Sequence, residues 1–117
     1  NWEESMHYYM EAFQHSKRVE PLIHISNYYK NKKEYILSYT FIKLACSLPY
    51  PTNSFLFVNK EQYDYDRWHI MGVVAYYCGK YTKGYEACLK AIKYGSNIEL
   101  DSKNLEHYKI KLLKSRS

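Results

Sequence analysis

The chain has 117 residues, of which 46% are hydrophobic and 18% aromatic, and it carries a net charge of +5 at pH 7. This length allows one domain with a packed core and excludes a catalytic domain beside it. No run approaches the roughly 18 apolar residues of a membrane span, so no membrane association is expected. Lysine supplies most of the basic charge and is spread over predicted helix surfaces and turns, which is typical of a solvated face.

The three cysteines, Cys46, Cys78 and Cys88, form no C-x-x-C motif, and the sequence has no N-x-S/T glycosylation acceptor. An odd number of cysteines without these signals favours a reducing compartment. We therefore predict a cytoplasmic, intracellular location. The first residue is Asn1 rather than methionine, which leads us to expect a longer parent protein.

Helical periodicity divides the chain into five segments of a single domain: a lone helix (1–16), a helix pair (17–48), an insertion (49–63), a second helix pair (64–96) and a capping helix (99–117). The helices are predicted near residues 2–15, 20–31, 34–47, 61–78, 81–94 and 102–114. No segment has the alternating pattern of a strand, so the predicted fold class is all-α.

The lone N-terminal helix resembles the second helix of a pair, because Ser5, Tyr9 and Ala12 have the spacing seen later in Gly84, Cys88 and Ala91. The first helix of that pair is absent from the chain. One face of the helix is therefore expected to be uncovered. We expect it to pair with an upstream domain of the parent protein or to self-associate with a second copy of this chain.

The insertion begins at Pro49 and Pro51, which prevent the preceding helix from continuing. Phe55 and Phe57 are too apolar to lie in water. They are expected to fold back over the core and to stabilise it.

The last helix is predicted to be capped by Asp101 or Ser102, since both side chains can accept a hydrogen bond from the first helical N–H groups. Leu105, Tyr108 and Leu112 form its apolar stripe. The helix is interpreted as a cap, or as the first helix of a truncated repeat.

The two helix pairs match each other at a constant offset of 46 residues, as from Ala45 to Ala91. In the first pair the matching positions are Leu22, Ile25, Ser26, Tyr29, Tyr35, Ser38, Ile42 and Ala45. In the second pair they are Trp68, Met71, Gly72, Ala75, Tyr81, Gly84, Cys88 and Ala91. The chain therefore contains an internal repeat interrupted by one insertion.

The second of these units, with Gly79 as its turn glycine, resembles a tetratricopeptide (TPR) repeat. The resemblance implies antiparallel helix pairs in a right-handed α-solenoid, with one inserted loop near residues 49–62 and a C-terminal capping helix. The two helices are expected to cross closely where Gly72 and Gly84 remove side-chain bulk. Gly79 is expected to end the first helix in a left-handed conformation.

Further stretches resemble the helical-repeat region that follows the catalytic domain in glycosyltransferases of bacteria and large DNA viruses. They are Glu20-Pro21-Leu22, Tyr28-Tyr29, Pro49-Tyr50-Pro51, Leu56-Phe57-Val58, Tyr63-Asp64-Tyr65, Ala75-Tyr76-Tyr77-Cys78-Gly79-Lys80-Tyr81 and Asn104-Leu105 with Tyr108. The resemblance implies a non-catalytic scaffold and protein-interaction module attached to such an enzyme. The sugar transfer would belong to a separate domain, so this chain is not expected to be an enzyme.

The TPR resemblance also implies a concave groove lined by the first helix of each unit. Its positions here are Glu20, Ile23, Asn27, Lys30 and Asn31, then Asp66, His69, Val73, Tyr76 and Tyr77. The best-known TPR clamp for a terminal carboxylate needs a lysine where this chain has Ile23, although Asn27 fits. We therefore predict an aromatic and amide surface for a peptide segment or a neighbouring domain, with a sugar ring or simple helix packing as alternatives.

The sequence offers little catalytic chemistry. Asp64-Tyr65-Asp66 spells the D-x-D motif of many glycosyltransferases, but it precedes a predicted helix and is interpreted as a cap. The five histidines lie at no metal-ligand spacing, so no metal site and no cofactor are predicted. A disulfide between Cys78 and Cys88 across the turn is disfavoured by the reducing compartment.

Two other functions compete with the glycosyltransferase appendage. One is a stand-alone TPR adaptor that binds a peptide or partner protein. The other is nucleic-acid binding through lysines and tyrosines, which is disfavoured because most tyrosines occupy predicted core positions and arginines are few.

Overall fold

The computed structural model describes residues 1–51 and 59–115, and the regular structure in these ranges is entirely helical. Its helices are α1 (Trp2–Ser16), α2 (Val19–Asn31), α3 (Tyr35–Ser47), α4 (Arg67–Tyr77), α5 (Tyr81–Tyr94) and α6 (Ile98–Lys114), with a π-helical turn (Gln62–Asp66) leading into α4. Each helix packs mainly against its neighbours in sequence. The predicted all-α class is confirmed for the described ranges.

Aromatic rings attach α1 to α2. The indole of Trp2 stacks on Tyr28, with ring centroids 3.6 Å apart, and its Nε1 donates a hydrogen bond to the Tyr29 hydroxyl at 3.3 Å. No residue of α1 is fully buried, and Tyr8 is 67% exposed. The helix is thus a peripheral element with an uncovered face, as expected, while its pairing with another chain or domain stays a prediction.

The helix pairs α2–α3 and α4–α5 are joined by the same turn. Gly79 has φ 71° and Lys33, which lies 46 residues earlier, has φ 61°. In both turns the next residue donates its N–H to the carbonyl five residues earlier, over 2.9 Å. This is the Schellman arrangement, so the prediction that Gly79 ends its helix in the left-handed conformation is confirmed. The two turns therefore have the same backbone geometry.

At equivalent positions between their helices, the first pair has two serines and the second pair has two glycines. In the first pair the Ser26 and Ser38 hydroxyls lie 2.9 Å apart, and each also donates to the backbone carbonyl of the other residue. A Cβ on Gly72 would lie 3.0 Å from the Cys88 sulfur on α5, which confirms the close crossing expected there. A Cβ on Gly84 would instead overlap the ring of Tyr108. The space left by the missing side chain of Gly84 is thus filled by the Tyr108 ring of α6.

The start of α4 is attached to the end of α3 by one buried arginine. The Arg67 guanidinium donates to the carbonyls of Ala45 and Leu48 at 2.9 and 2.8 Å, and its Nε donates to the carbonyl of Tyr63 at 2.7 Å. The Ala45 and Leu48 carbonyls lie at the C-terminal end of α3, where helical N–H donors run out. Ala45 also accepts from the Leu48 N–H at 3.3 Å, so the arginine adds a second donor there. Pro49 and Pro51 lie outside helices, as predicted, whereas Phe55 and Phe57 fall outside the described residues.

Two predicted caps are corrected by the structure. Asn59 accepts hydrogen bonds from the N–H groups at the start of the helical segment before α4, while Asp64-Tyr65-Asp66 lies inside that segment and Asp66 makes no side-chain cap. Asn97 likewise caps α6, which begins at Ile98 rather than near residue 102. The predicted cap Asp101 is instead 1% exposed within the helix. In each case an asparagine a few residues upstream takes the capping role.

Gly84→Ala should reduce the free energy of unfolding by about 1–3 kcal/mol, because the added methyl group overpacks the buried Tyr108 ring. Urea denaturation would measure the loss. In a Tyr108→Ala background the same change should be neutral or stabilising, since alanine favours helix over glycine. Equal losses in both backgrounds would show that Tyr108 is not the obstacle.

Candidate functional site

A cleft of about 240 Å³ lies between α4 and α6. Its lining residues are Gly72, Val73, Tyr76, Tyr77, Asn104, His107 and Tyr108. Three of these, Val73, Tyr76 and Tyr77, were predicted to line a groove. The other wall comes from α6, which was predicted to be a capping helix or the first helix of a truncated repeat.

Tyr76 forms the centre of the aromatic wall. Its ring meets Tyr108 edge-on at 5.7 Å and His107 at 6.0 Å, and the ammonium group of Lys111 lies 5.7 Å from its centroid. Tyr108 is fully buried and donates its hydroxyl proton to the carbonyl of Gly72 at 2.7 Å. Burial raises the pKa of Tyr108 well above its usual range, so the hydroxyl stays protonated as a donor. The cleft therefore has a fixed aromatic floor.

Tyr77 belongs both to the cleft and to the packing of the repeats. Its ring stacks on Tyr35 at the start of α3, with centroids 4.0 Å apart and planes 12° apart, yet the residue remains 60% exposed. One face of the Tyr77 ring is covered by the ring of Tyr35. The remaining surface of Tyr77 is open to a ligand at the end of the cleft.

The predicted groove residues of α2 lie elsewhere. Ile23 is 5% exposed in the hydrophobic core, so its assignment to a binding surface was wrong. Asn27 and Lys30 are half-buried and Asn31 is exposed, but none of them lines the α4–α6 cleft. Burial lowers the pKa of the Lys30 ammonium group. The described cleft is thus shorter than the groove predicted across both units.

His69, another predicted groove residue, is held by a buried carboxylate. Its Nδ1 lies 2.6 Å from one oxygen of Asp101, and the Tyr65 hydroxyl donates to the other oxygen at 2.9 Å. The rings of Tyr65 and His69 stack at 5.4 Å. Burial and the hydrogen bond to Asp101 raise the pKa of Tyr65, which keeps its proton on the donor oxygen. This cluster attaches α6 to α4.

Asp101 was missed as a buried group because local chemistry suggested a cap. A usable signal was present, since Asp101 precedes Leu105 and Tyr108 by four and seven residues and therefore shares their helix face. No serine, threonine or cysteine of the described ranges hydrogen-bonds to His69, so the cluster lacks the nucleophile of a catalytic triad.

The thiols are free in the structure. Cys78 and Cys88 form no disulfide with each other, and the Cys78 and Cys46 sulfurs each approach a backbone carbonyl at 3.4 Å. Burial raises the pKa of Cys46 and of Cys88 to about 12, so both remain protonated thiols at neutral pH. They act as small packing groups.

Within residues 1–51 and 59–115, no cluster of His, Cys, Asp and Glu side chains could hold a metal ion. The helices in that part of the chain are all too short or too polar to cross a membrane. No protein-family model matches the chain, and no curated protein or solved structure matches it significantly.

Asp101→Ala should reduce the free energy of unfolding by about 1–3 kcal/mol, because it leaves His69 and the Tyr65 hydroxyl without their buried hydrogen-bond partner. Tyr65→Phe removes one hydrogen bond and should cost about 1 kcal/mol. Urea denaturation of both variants and of the unsubstituted chain would measure the two losses.

Glu99→Ala provides the control, since this residue lies in the same helical turn but is exposed. Its effect should stay within about 0.5 kcal/mol. A similar loss for Glu99→Ala and Asp101→Ala would contradict the role assigned to the buried cluster.

Proposed function

We propose that this chain is a non-catalytic, TPR-like helical-repeat module that binds protein segments in the α4–α6 cleft. The observation that carries the proposal is the aromatic cleft between α4 and α6. Of these two helices, only α4 belongs to one of the two helix pairs that match each other in sequence. The walls of the cleft combine flat rings with the polar groups of Asn104 and His107. Such surfaces suit peptide contacts, because aromatic residues supply contact area while amides supply hydrogen bonds.

The repeat assignment is supported by the matched turns at Lys33 and Gly79 and by the constant offset between the helix pairs. In a right-handed solenoid, successive first helices line one concave surface. By that scheme α2, α4 and α6 are first helices, and the α4–α6 cleft lies between two of them. The capping helix would then be part of the binding surface.

The size of the cleft favours a side chain over a free small molecule. Its volume of about 240 Å³ is below the roughly 300–1,000 Å³ of typical small-molecule pockets. A peptide, by contrast, needs to insert only one or two side chains while its backbone lies along the surface. We infer an apolar or aromatic side chain as the inserted group, since it would contact Val73 and the Tyr76 ring.

We further propose that the module is a cytoplasmic appendage of a glycosyltransferase. This proposal is based on the stretches of sequence that resemble the helical-repeat region following the catalytic domain in such enzymes. An upstream domain of the same parent chain is then the first candidate partner, and α1 offers an uncovered face for it or for a second copy of the module. A stand-alone adaptor is the alternative. The full reading frame separates the two, because only the appendage has a nucleotide-sugar-binding α/β domain upstream.

Panning a random peptide phage library on the folded chain should enrich peptides that share an apolar or aromatic residue. Asn104→Trp should weaken their binding about tenfold or more, because the indole fills the cleft without removing a buried contact. Isothermal titration calorimetry with a synthetic enriched peptide would measure the change in Kd.

Lys103→Trp is the matched control, since this adjacent residue is exposed and does not line the cleft. Its Kd should stay within about twofold of the unsubstituted chain. Unchanged binding by the Asn104 variant, with both variants folded by circular dichroism, would exclude the cleft as the binding site.

A further inference from the structure

A second surface, formed largely by α3, α5 and the start of α4, has more lysines than carboxylates. Two clefts of about 250 and 360 Å³ meet there at Trp68, and together they are bordered by Lys43, Lys83, Lys90 and Lys93. We call Trp68 and these four lysines the lysine cleft. It shares no lining residue with the α4–α6 cleft, so its role is independent of the function proposed above.

The four lysines have no acidic partners of their own. None of them forms a salt bridge within residues 1–51 and 59–115, whereas Lys103 and Lys109 on α6 are each paired with a glutamate. Glu86 and Asp64 are the carboxylates that line the two clefts. Two negative charges therefore face four lysines and the nearby Arg67, and the surplus is positive.

This positive field reaches the interior of the cleft. Burial raises the pKa of the Cys46 thiol, but Arg67, Lys90 and Lys83 each act to lower it, as cations near a thiol do. Cys46 lines the same cleft. Several cations thus converge on one place rather than being distributed around the surface.

Trp68 fixes the geometry of these charges. The Lys90 ammonium group lies 3.9 Å from the indole ring centre, and the Arg67 guanidinium lies at 4.9 Å. A cation held over an aromatic face loses part of its rotamer freedom before any ligand binds. The cleft is therefore partly ordered for an anionic partner.

We propose that the lysine cleft binds an acidic segment of a partner protein, with Asp and Glu carboxylates on the lysine ammonium groups. Lys83, Lys90 and Lys93 lie on one face of α5, at a rise of about 10 Å and then about 5 Å along the helix. An extended peptide advances about 3.3 Å per residue, so carboxylates about three residues apart match the first spacing and carboxylates one to two residues apart match the second. Lys43 on α3 faces them across the cleft.

The geometry favours a peptide over single-stranded nucleic acid. Strand-binding sites use exposed rings as stacking platforms for bases. Here Lys90 already lies over the Trp68 ring, and Tyr63 is buried beneath Arg67. Lysines act as point charges without the planar fork that arginine offers to phosphate. Carboxylates on a flexible chain can meet such separate charges one at a time.

The test is titration calorimetry of the full chain with a short oligo-glutamate peptide. Saturable binding is expected, and raising NaCl from about 50 to about 500 mM should weaken it strongly because salt screens exposed charges. Lys83→Glu combined with Lys90→Glu should raise Kd about tenfold or more. In a Trp2→Phe background Trp68 is the one remaining tryptophan, so its fluorescence should change on binding.

Lys103→Glu combined with Lys109→Glu makes the same change in net charge on α6 and should alter Kd by no more than about twofold. Circular dichroism establishes that each variant folds, and Lys43→Gln with Lys83→Gln, both at exposed positions, replaces the first pair if it does not. Equal weakening by the two glutamate pairs, or no binding of oligo-glutamate, would overturn the proposal. Tighter binding of an oligo-thymidylate of equal length would assign the cleft to nucleic acid instead.

Discussion

The second half of the fold depends on the insertion of Tyr108 into the space above Gly84. The hydroxyl crosses to the carbonyl of Gly72, so one side chain of α6 contacts both helices of the preceding pair. Asp101, two turns earlier on the same face, makes a second attachment through Tyr65 and His69. These two points fix α6 against α4 at places two helical turns apart. The walls of the α4–α6 cleft are therefore set by buried hydrogen bonds rather than by surface contacts.

The two helix pairs have the same turn between their helices but different side-chain contacts at equivalent positions. Ser26 and Ser38 join α2 to α3 by reciprocal hydrogen bonds. The equivalent residues of the second pair, Gly72 and Gly84, have no side chain that could make such bonds. The Tyr108 ring of α6 instead lies where a Gly84 side chain would be. The second pair is therefore packed against a third helix at this position, and that helix forms the other wall of the α4–α6 cleft.

Residues that act on their own stretch of backbone allowed most of the helices to be predicted from the sequence. The predictions failed for side chains whose environment depends on residues far away in the sequence. Gly79 and the prolines act on their own backbone, so their effects could be read directly. The burial of Asp101 depends on Tyr65 and His69, more than thirty residues away in sequence. Ile23 was assigned to a groove by its position in the repeat, but packing placed it in the core. Position in the repeat therefore did not distinguish the buried from the exposed face of α2 at Ile23, because that depends on which neighbouring elements pack against the helix.

Helix α4 is the element common to both proposed surfaces. Trp68, in its first turn, belongs to the lysine cleft, whereas Val73 and Tyr76 line the aromatic cleft. The helix itself is held at its start by the hydrogen bonds of Arg67 to the end of α3. A helix fixed in this way presents two faces at a constant relative orientation. An uncharged peptide side chain and an acidic segment could consequently occupy the molecule together, and only the second contact would weaken as salt concentration rises.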